Sequence, residues 1–270
     1  MSVTTQGSSL APPTASTTAE MPIPIQDRFI KATQIVDKWG TTMMIYSLPG
    51  VGKTTLAATA QESEYGRDVI FLDCEGGASA IRDRADITIF RPMAFREVRE
   101  FFDFVAGSKH RFKTIVVDTL SELQKLNLKE IVRMAGRSDG MPQLQDYGMC
   151  NEQMTAMIRN FKDLAQRIGV NVIFNCHVVE TRDGESGPMV ARPMLTPGLV
   201  NPAMAALDFV GYLTRDSKGV RTLRLAGSDR FLAKTRIPLS WEQLSEEIEN
   251  PSLVPILAHG REEAKKHQKP

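Results

Sequence analysis

The sequence predicts an α/β fold with a mainly parallel central sheet, on three observations. Short apolar, β-rich runs recur along the chain, segments of helical period lie between them, and a glycine-rich turn joins the first run to the first helix. In order, "TTMMIY" (41–46) is a buried strand and "KTTLAATAQES" continues from it as a helix. "DVIFLD" (68–73) and "ITIF" (87–90) are the next strands. After Pro92 comes a helix with Phe95, Val98, Phe102 and Val105 on one face. "KTIVVD" (113–118) is a fourth strand, followed by a helix marked by Leu120, Leu123, Ile131 and Met134. A turn-rich loop spans 136–148, and the helix after it carries Met154, Met157, Ile158, Phe161, Leu164 and Ile168 before stopping at Gly169. "VNVIFNC" (170–176) is a fifth strand. A long loop, 178–198, leads to "LDFVGYLT" and "VRTLRLA", expected to be antiparallel and to close the sheet.

The bulk numbers bound the rest. A chain of 270 residues with 42% hydrophobic and 24% charged residues has enough apolar material for one sizeable core. A net charge of +1 means that any contact with nucleic acid rests on local basic patches. The three cysteines, Cys74, Cys150 and Cys176, are widely spaced, and this fits reduced thiols. No apolar run approaches a membrane span, so membrane partners are not expected and a cytoplasmic location is. Residues 1–24 read as a disordered Ser/Thr/Ala/Pro leader, 25–245 as one domain, and 246–270 as a partly disordered C-terminal extension.

The turn at 47–54, "SLPGVGKT", matches G-x-x-x-x-G-K-[ST] with Ser47 in place of the first glycine. Gly50 and Gly52 let successive backbone N–H groups point inward at phosphate oxygens, and the next helix adds its positive end. Ser47, Pro49, Gly50, Val51, Gly52, Lys53, Thr54 and Thr55 are therefore read as nucleotide-binding residues. Lys53 would neutralise the β- and γ-phosphates, and the Thr54 hydroxyl would ligate Mg²⁺. The expected ligands are ATP and Mg²⁺.

A second carboxylate site supports this. Asp118 ends the apolar strand "TIVVD" and suits the same Mg²⁺ as Thr54, while the residue after it is Thr119, not an acid. Glu75, in "FLDCEGG" at the carboxyl end of the second strand, is the candidate that orients the attacking water. "DCEG" also fits D-x-x-G, but the chain lacks an N-K-x-D motif for guanine.

"SLPGVGKTT", "FLDCEGG", "TIVVDTLSEL" and "NVIFNCH", in this order, resemble the RecA-type recombinase core. They look most like the short phage-encoded RecA-like ATPases of the AAA-domain or single-strand-annealing type, over about residues 28–245. The resemblance implies a RecA-like P-loop NTPase core and gives Glu75 the role of catalytic glutamate. It puts His177 where the family keeps a γ-phosphate-sensing glutamine. It also places Lys234 and Arg236, in "RFLAKTRIPLS", as basic residues that complete a neighbouring subunit's site. A homo-oligomer, ring or filament, is implied, along with single-stranded DNA as partner and a possible single-strand-binding protein. The loops 136–148 and 178–198 correspond to the family's DNA-binding loops, with Arg137, Arg182 and Arg192 as phosphate contacts and Met189, Met194 and Leu195 as wedges between bases. Glu180, Asp183, Glu185, Asp139 and Asp146 argue against a strongly basic groove, and the loops offer no aromatic stacking platform. A rival reading is a nucleotide-dependent assembly or loader module gripping a protein partner; a nucleotide kinase would need a basic lid segment that the chain does not show. The phenylalanines of "FREVREFFDFV" and Met141, Met149, Met154 and Met157 read as packing residues, and Cys74 as a small buried residue.

Overall fold

The computed structural model describes residues 40–107, 109–137, 140–182, 184, 187–237 and 244–266. The leader 1–24 lies outside them. The strands are β1 Thr42–Ser47, β2 Val69–Asp73, β3 Thr88–Phe90, β4 Thr114–Asp118, β5 Asn171–Arg182, β6 Met189–Pro193, β7 Phe209–Arg215, β8 Arg221–Arg224, β9 Lys234–Thr235 and β10 Glu247–Glu249. The helices are α1 Lys53–Ala58, α2 Phe95–Gly107, α3 Leu120–Met134, α4 Leu144–Ile168, α5 Pro197–Ala206 and α6 Leu253–Lys266.

The sheet order is β10-β8-β7-β1-β5-β4-β2-β3. From β3 to β7 every neighbouring pair is parallel, while β8, β10, β6 and β9 pair antiparallel. Strands buried on both faces carry apolar residues at consecutive positions, and consecutive side chains serve different layers. Met44, Tyr46, Leu72, Val117 and Phe174 face the layer holding Leu120, Ile158 and Phe161 of α3 and α4. Met43, Ile45, Phe71, Val116 and Ile173 face the layer holding Leu56 of α1 and Ile256 of α6. After β1 the chain crosses to β2 and works back through β4 to β5; it then passes over β1 to add β7 on the far side. That reversal makes the carboxyl end of β1 a switch point, the place where open parallel sheets bind ligands.

The C-terminal strands pair antiparallel as expected, β8 and β9 with β7, while β7 itself runs parallel to β1 because the α5 crossover returns the chain to the same edge. Other expectations are corrected. The loop 178–198 is mostly a hairpin: β5 continues to Arg182 and pairs with β6 from Val178↔Pro193 to Arg182↔Met189. The loop 136–148 shortens because α4 begins at Leu144, where the buried Asp146 carboxylate accepts the Gln143 N–H at 2.7 Å and secures the first turn. The segment 246–270 is not a frayed end between 247 and 266: β10 extends the sheet beside β8, and Leu253, Ile256 and Leu257 of α6 are buried. Met134, Met141 and Met149 are exposed rather than packed, whereas Met154 and Met157 are buried as expected. Among the described residues no helix is long and apolar enough to cross a membrane.

Candidate nucleotide site

The turn after β1 has the backbone its glycines permit. Gly50 (φ 75°) and Gly52 (φ 113°) occupy the left-handed region that side chains disfavour. Leu48, Pro49 and Gly50 are exposed, so the bend opens to solvent. The Lys53 ammonium is buried beneath it and donates to Ser47 O, Ser47 Oγ and Leu48 O, each at 3.3 Å. Ser47 is therefore more than a tolerated replacement for glycine, since its hydroxyl supplies one of the three acceptors that hold the lysine. Burial holds the Lys53 pKa below the ordinary lysine value, against the opposing pull of the Asp118 and Glu75 carboxylates.

Register brings the acids to the same edge. Asp73 at the end of β2 pairs with Asp118 at the end of β4, and Ser47 at the end of β1 pairs with His177 of β5. The Thr54 hydroxyl donates to Asp118 Oδ2 at 2.7 Å, and Asn175 Nδ2 donates to Oδ1 at 3.1 Å. Burial pushes the Asp118 carboxyl up, opposed by these two hydrogen bonds and by Lys53. Glu75 follows β2 in a turn set by its neighbours. Asp73 accepts the Gly76 N–H at 2.8 Å, and Arg91 clamps its other oxygen at 2.9 Å. The half-exposed Glu75 carboxylate meets His177 Nε2 at 3.1 Å, and the backbone N–H of His177 is anchored to Ser121 Oγ at 3.1 Å. His177 Nδ1 is buried with no hydrogen-bond partner among the described residues. Cys74 is half-buried, and burial pushes its thiol pKa up.

Lys53, Thr54, Asp118, Glu75 and His177 are thus gathered at one edge. Lys234 and Arg236 are not among them. Lys234 pairs with Val210, near the start of β7, and so sits toward the opposite end of the sheet; both side chains donate to the carbonyl of Ala205 in the last turn of α5. The proposed phosphate contacts are dispersed as well. Arg137 is a two-pronged partner of Asp146 at 2.7 and 2.9 Å, Arg182 lies on the exposed end of the hairpin, and Arg192 is half-buried on β6. Of the suggested wedges only Met189 is exposed; Leu195 packs against the core.

Sequence reasoning did not find Asn175, Ser121 or Arg221. Asn175 has a readable signal, a polar residue inside the apolar run "VIFNC". Arg221 on β8 has none, because its Nε donates at 2.8 Å to the carbonyl of Val51, 170 residues away. A side chain at Gly52 would meet that guanidinium at 2.8 Å, so arginine and glycine fit together. Arg221→Ala frees the bend to move and removes a positive charge from beside it; KM for ATP is expected to rise by about tenfold with little change in kcat, as for loss of one charged hydrogen bond in binding. Steady-state kinetics checks this, and an unchanged KM removes Arg221 from the site.

Residues 40–237 match the AAA domain family. The chain belongs to that family. The glycine-rich turn 47–54, Glu75, Asp118 and His177 all lie within the matched residues. A crystal structure of the RadB recombinase is similar to this AAA domain protein at 16% identity with a TM-score of 0.42, over 70% of this chain and 80% of that one. No curated protein matches it.

Proposed function

We propose that this AAA domain protein hydrolyses ATP with Mg²⁺ and couples turnover to single-stranded DNA, in strand recombination or annealing. The observation that supports it most is the Thr54–Asp118 contact at 2.7 Å beneath an open glycine bend, with Glu75 at the same edge. A hydroxyl and a carboxylate are hard oxygen donors, and Mg²⁺ needs only one or two of these because waters and phosphate oxygens complete its shell. Among the described residues there is no cluster of three or more metal-ligating side chains, and this chemistry needs none. Thr54 and Asp118 would hold the ion, which when bound offsets charge on the β- and γ-phosphates.

The chain's own groups then divide the work. Amides of the bend and Lys53 bind phosphate oxygens, with Lys53 exchanging the Ser47 and Leu48 acceptors for stronger charged ones. Asn175 keeps the Asp118 carboxylate aimed at the edge. Glu75 orients the attacking water and takes its proton, and His177, bonded to Glu75, senses whether a γ-phosphate is present. Lys234 and Arg236 lie beside the start of β7, away from their own site, and are assigned to a neighbouring subunit's site in a homo-oligomer. The hairpin carrying Arg182 and Arg192 supplies phosphate contacts for DNA.

ATPase rate and particle size, measured together with and without single-stranded DNA, test this. DNA is expected to raise the rate and to bind with an affinity that falls as salt rises. A rate indifferent to DNA, with no salt-dependent binding, removes the DNA half. One observation favours a loader that grips a protein instead: exposed Met134 and Met149 border a groove of about 470 Å³ between α3 and α4. Under that reading a protein partner, not DNA, raises turnover.

A further inference from the structure

Beside β5 the hairpin and the strands β7 and β8 enclose a recess of about 360 Å³, bordered by Tyr212, Phe231, Arg224, Arg230, Met189 and Glu180. It is separate from the phosphate bend. Tyr46 and Tyr212 belong to the layer opposite α1, so the sheet lies between the two. Its aromatic wall ends a row of rings: Tyr46 stacks on Tyr212 at 4.9 Å and 19°, and Tyr212 lies 5.4 Å from Phe231 at 36°. Tyr212 and Phe231 are only half-buried, so part of each ring borders the recess.

This wall is fixed in place before any ligand arrives. The segment carrying Phe231 is tied to β6 on both sides, by Ala191 N–H to Arg230 O at 2.8 Å and Leu232 N–H to Ala191 O at 3.1 Å. The buried Tyr46 hydroxyl, with its single proton, donates to the carbonyl of Leu232 and lies 3.1 Å from that of Ala191, so it joins the same two segments. Arg224 lies over the Phe231 ring at 5.8 Å, held there by Glu247 at 3.0 Å and Thr214 at 2.6 Å. Rigid rings bind a flat ligand at little ordering cost.

The lining selects among ligands. A recess of this size sits at the small end of the range of roughly 300–1,000 Å³ for small-molecule sites, and it takes one flat ring system but no duplex. The Glu180 carboxylate at the rim repels a phosphate placed inside, while the exposed Arg230 attracts one outside. An aromatic and guanidinium wall within, a cation outside and an acid at the mouth suit an unstacked base whose phosphate stays in solvent. We infer that this recess binds a single base of single-stranded nucleic acid, with the base packed on Phe231 beside the Arg224 guanidinium, Tyr212 backing that wall, and the flanking phosphate on Arg230. The inference rests on the single-strand reading above and adds to it the stacking surface that the loops do not provide.

Anisotropy of a labelled oligothymidylate with the full chain, at two salt concentrations, tests it. Phe231→Ala and the bulkier Phe231→Leu are each expected to weaken binding by about 5- to 100-fold, the effect of losing one stacked base. Arg230→Gln is expected to lower the salt slope by about 0.7, one single-strand phosphate. Iodouracil-substituted oligonucleotide is expected to cross-link the parent protein at Phe231 or Tyr212, a readout that does not depend on any variant folding. RNA of the same sequence showing the same losses supports the site and shows that it reads bases regardless of sugar. If the parent binds DNA but both Phe231 variants, folded by circular dichroism, bind as tightly, or the cross-links fall elsewhere, the recess is overturned and the single-strand reading stands. If the parent binds neither DNA nor RNA, the single-strand reading fails, and the recess with it.

Discussion

Lys53→Ala is expected to lower kcat/KM for ATP by at least about 10²–10³-fold, the scale set by removing one preorganised charge from a developing negative centre. The structure makes the loss twofold. Lys53 is the buried cation at an edge that already holds Asp118 and Glu75, and burial disfavours its charge while those two acids favour it. Removing it leaves two carboxylates facing an incoming triphosphate, so binding weakens before chemistry is reached. It also removes one charged donor from each of Ser47 O and Leu48 O, although the Ser47 hydroxyl still donates to Leu48 O at 2.9 Å. Loss of charged hydrogen bonds, each contributing about 1.5–3 kcal/mol, loosens the bend. Titration of a fluorescent ATP analogue, with thermal melts beside it, separates these effects. Melting temperature is expected to fall slightly while nucleotide-induced stabilisation vanishes. A variant still stabilised by ATP to the parental extent removes the phosphate-cradle assignment.

The strands β1, β2, β4 and β5 are legible in the sequence because each is a consecutive apolar run, and only a strand buried on both faces needs one. The hairpin is less so. Beyond Val179 the side chains of β5 turn polar and exposed, and its partner β6 is short and arginine-bearing, with a buried run, Val190 and Ala191, too brief to distinguish 180–193 from a loop. Helix α6 was missed for a different reason. Pro255 breaks its apparent pattern, yet near the start of a helix proline is tolerated, and Leu253, Ile256 and Leu257 still reach the core. The site divides along the same line. Lys53, Thr54, Asp118 and Glu75 follow from local motifs, since each ends or follows a strand and strand ends converge in a parallel sheet. Arg221 against Val51, and Phe231 beside Tyr212, depend on which strand lies next to which, and no local pattern carries that. The direction of β7 is an instance: adjacency to β8 along the chain suggests an antiparallel pair, which it makes, while its parallel partner β1 is far upstream.

Glu75→Gln is expected to lower kcat by about 10²–10⁴-fold with ATP affinity kept or improved, the reach of general-base catalysis. The substitution is isosteric, and glutamine oxygen still accepts a hydrogen bond from His177 Nε2, so the contact that places the side chain survives. The side chain is 39% exposed, and a surface exchange of this kind changes stability by about 0.5 kcal/mol or less. What goes is one negative charge and one basic oxygen. Loss of the charge favours a tetra-anionic ligand and lessens the repulsion that Asp118 feels from Glu75. Loss of the basic oxygen leaves the attacking water without a proton acceptor. Binding and turnover therefore separate, which distinguishes a base from a phosphate ligand, since a ligand's removal would weaken both. His177→Gln is the informative companion: it keeps a donor toward Glu75 but removes the imidazole, so it is expected to alter the response to the γ-phosphate more than the chemical step. Single-turnover hydrolysis and retention of bound ATP through gel filtration measure the two quantities independently. Turnover within a few-fold of the parent in Glu75→Gln protein that retains ATP would move the water-orienting role away from β2, to another group at the carboxyl edge of the sheet.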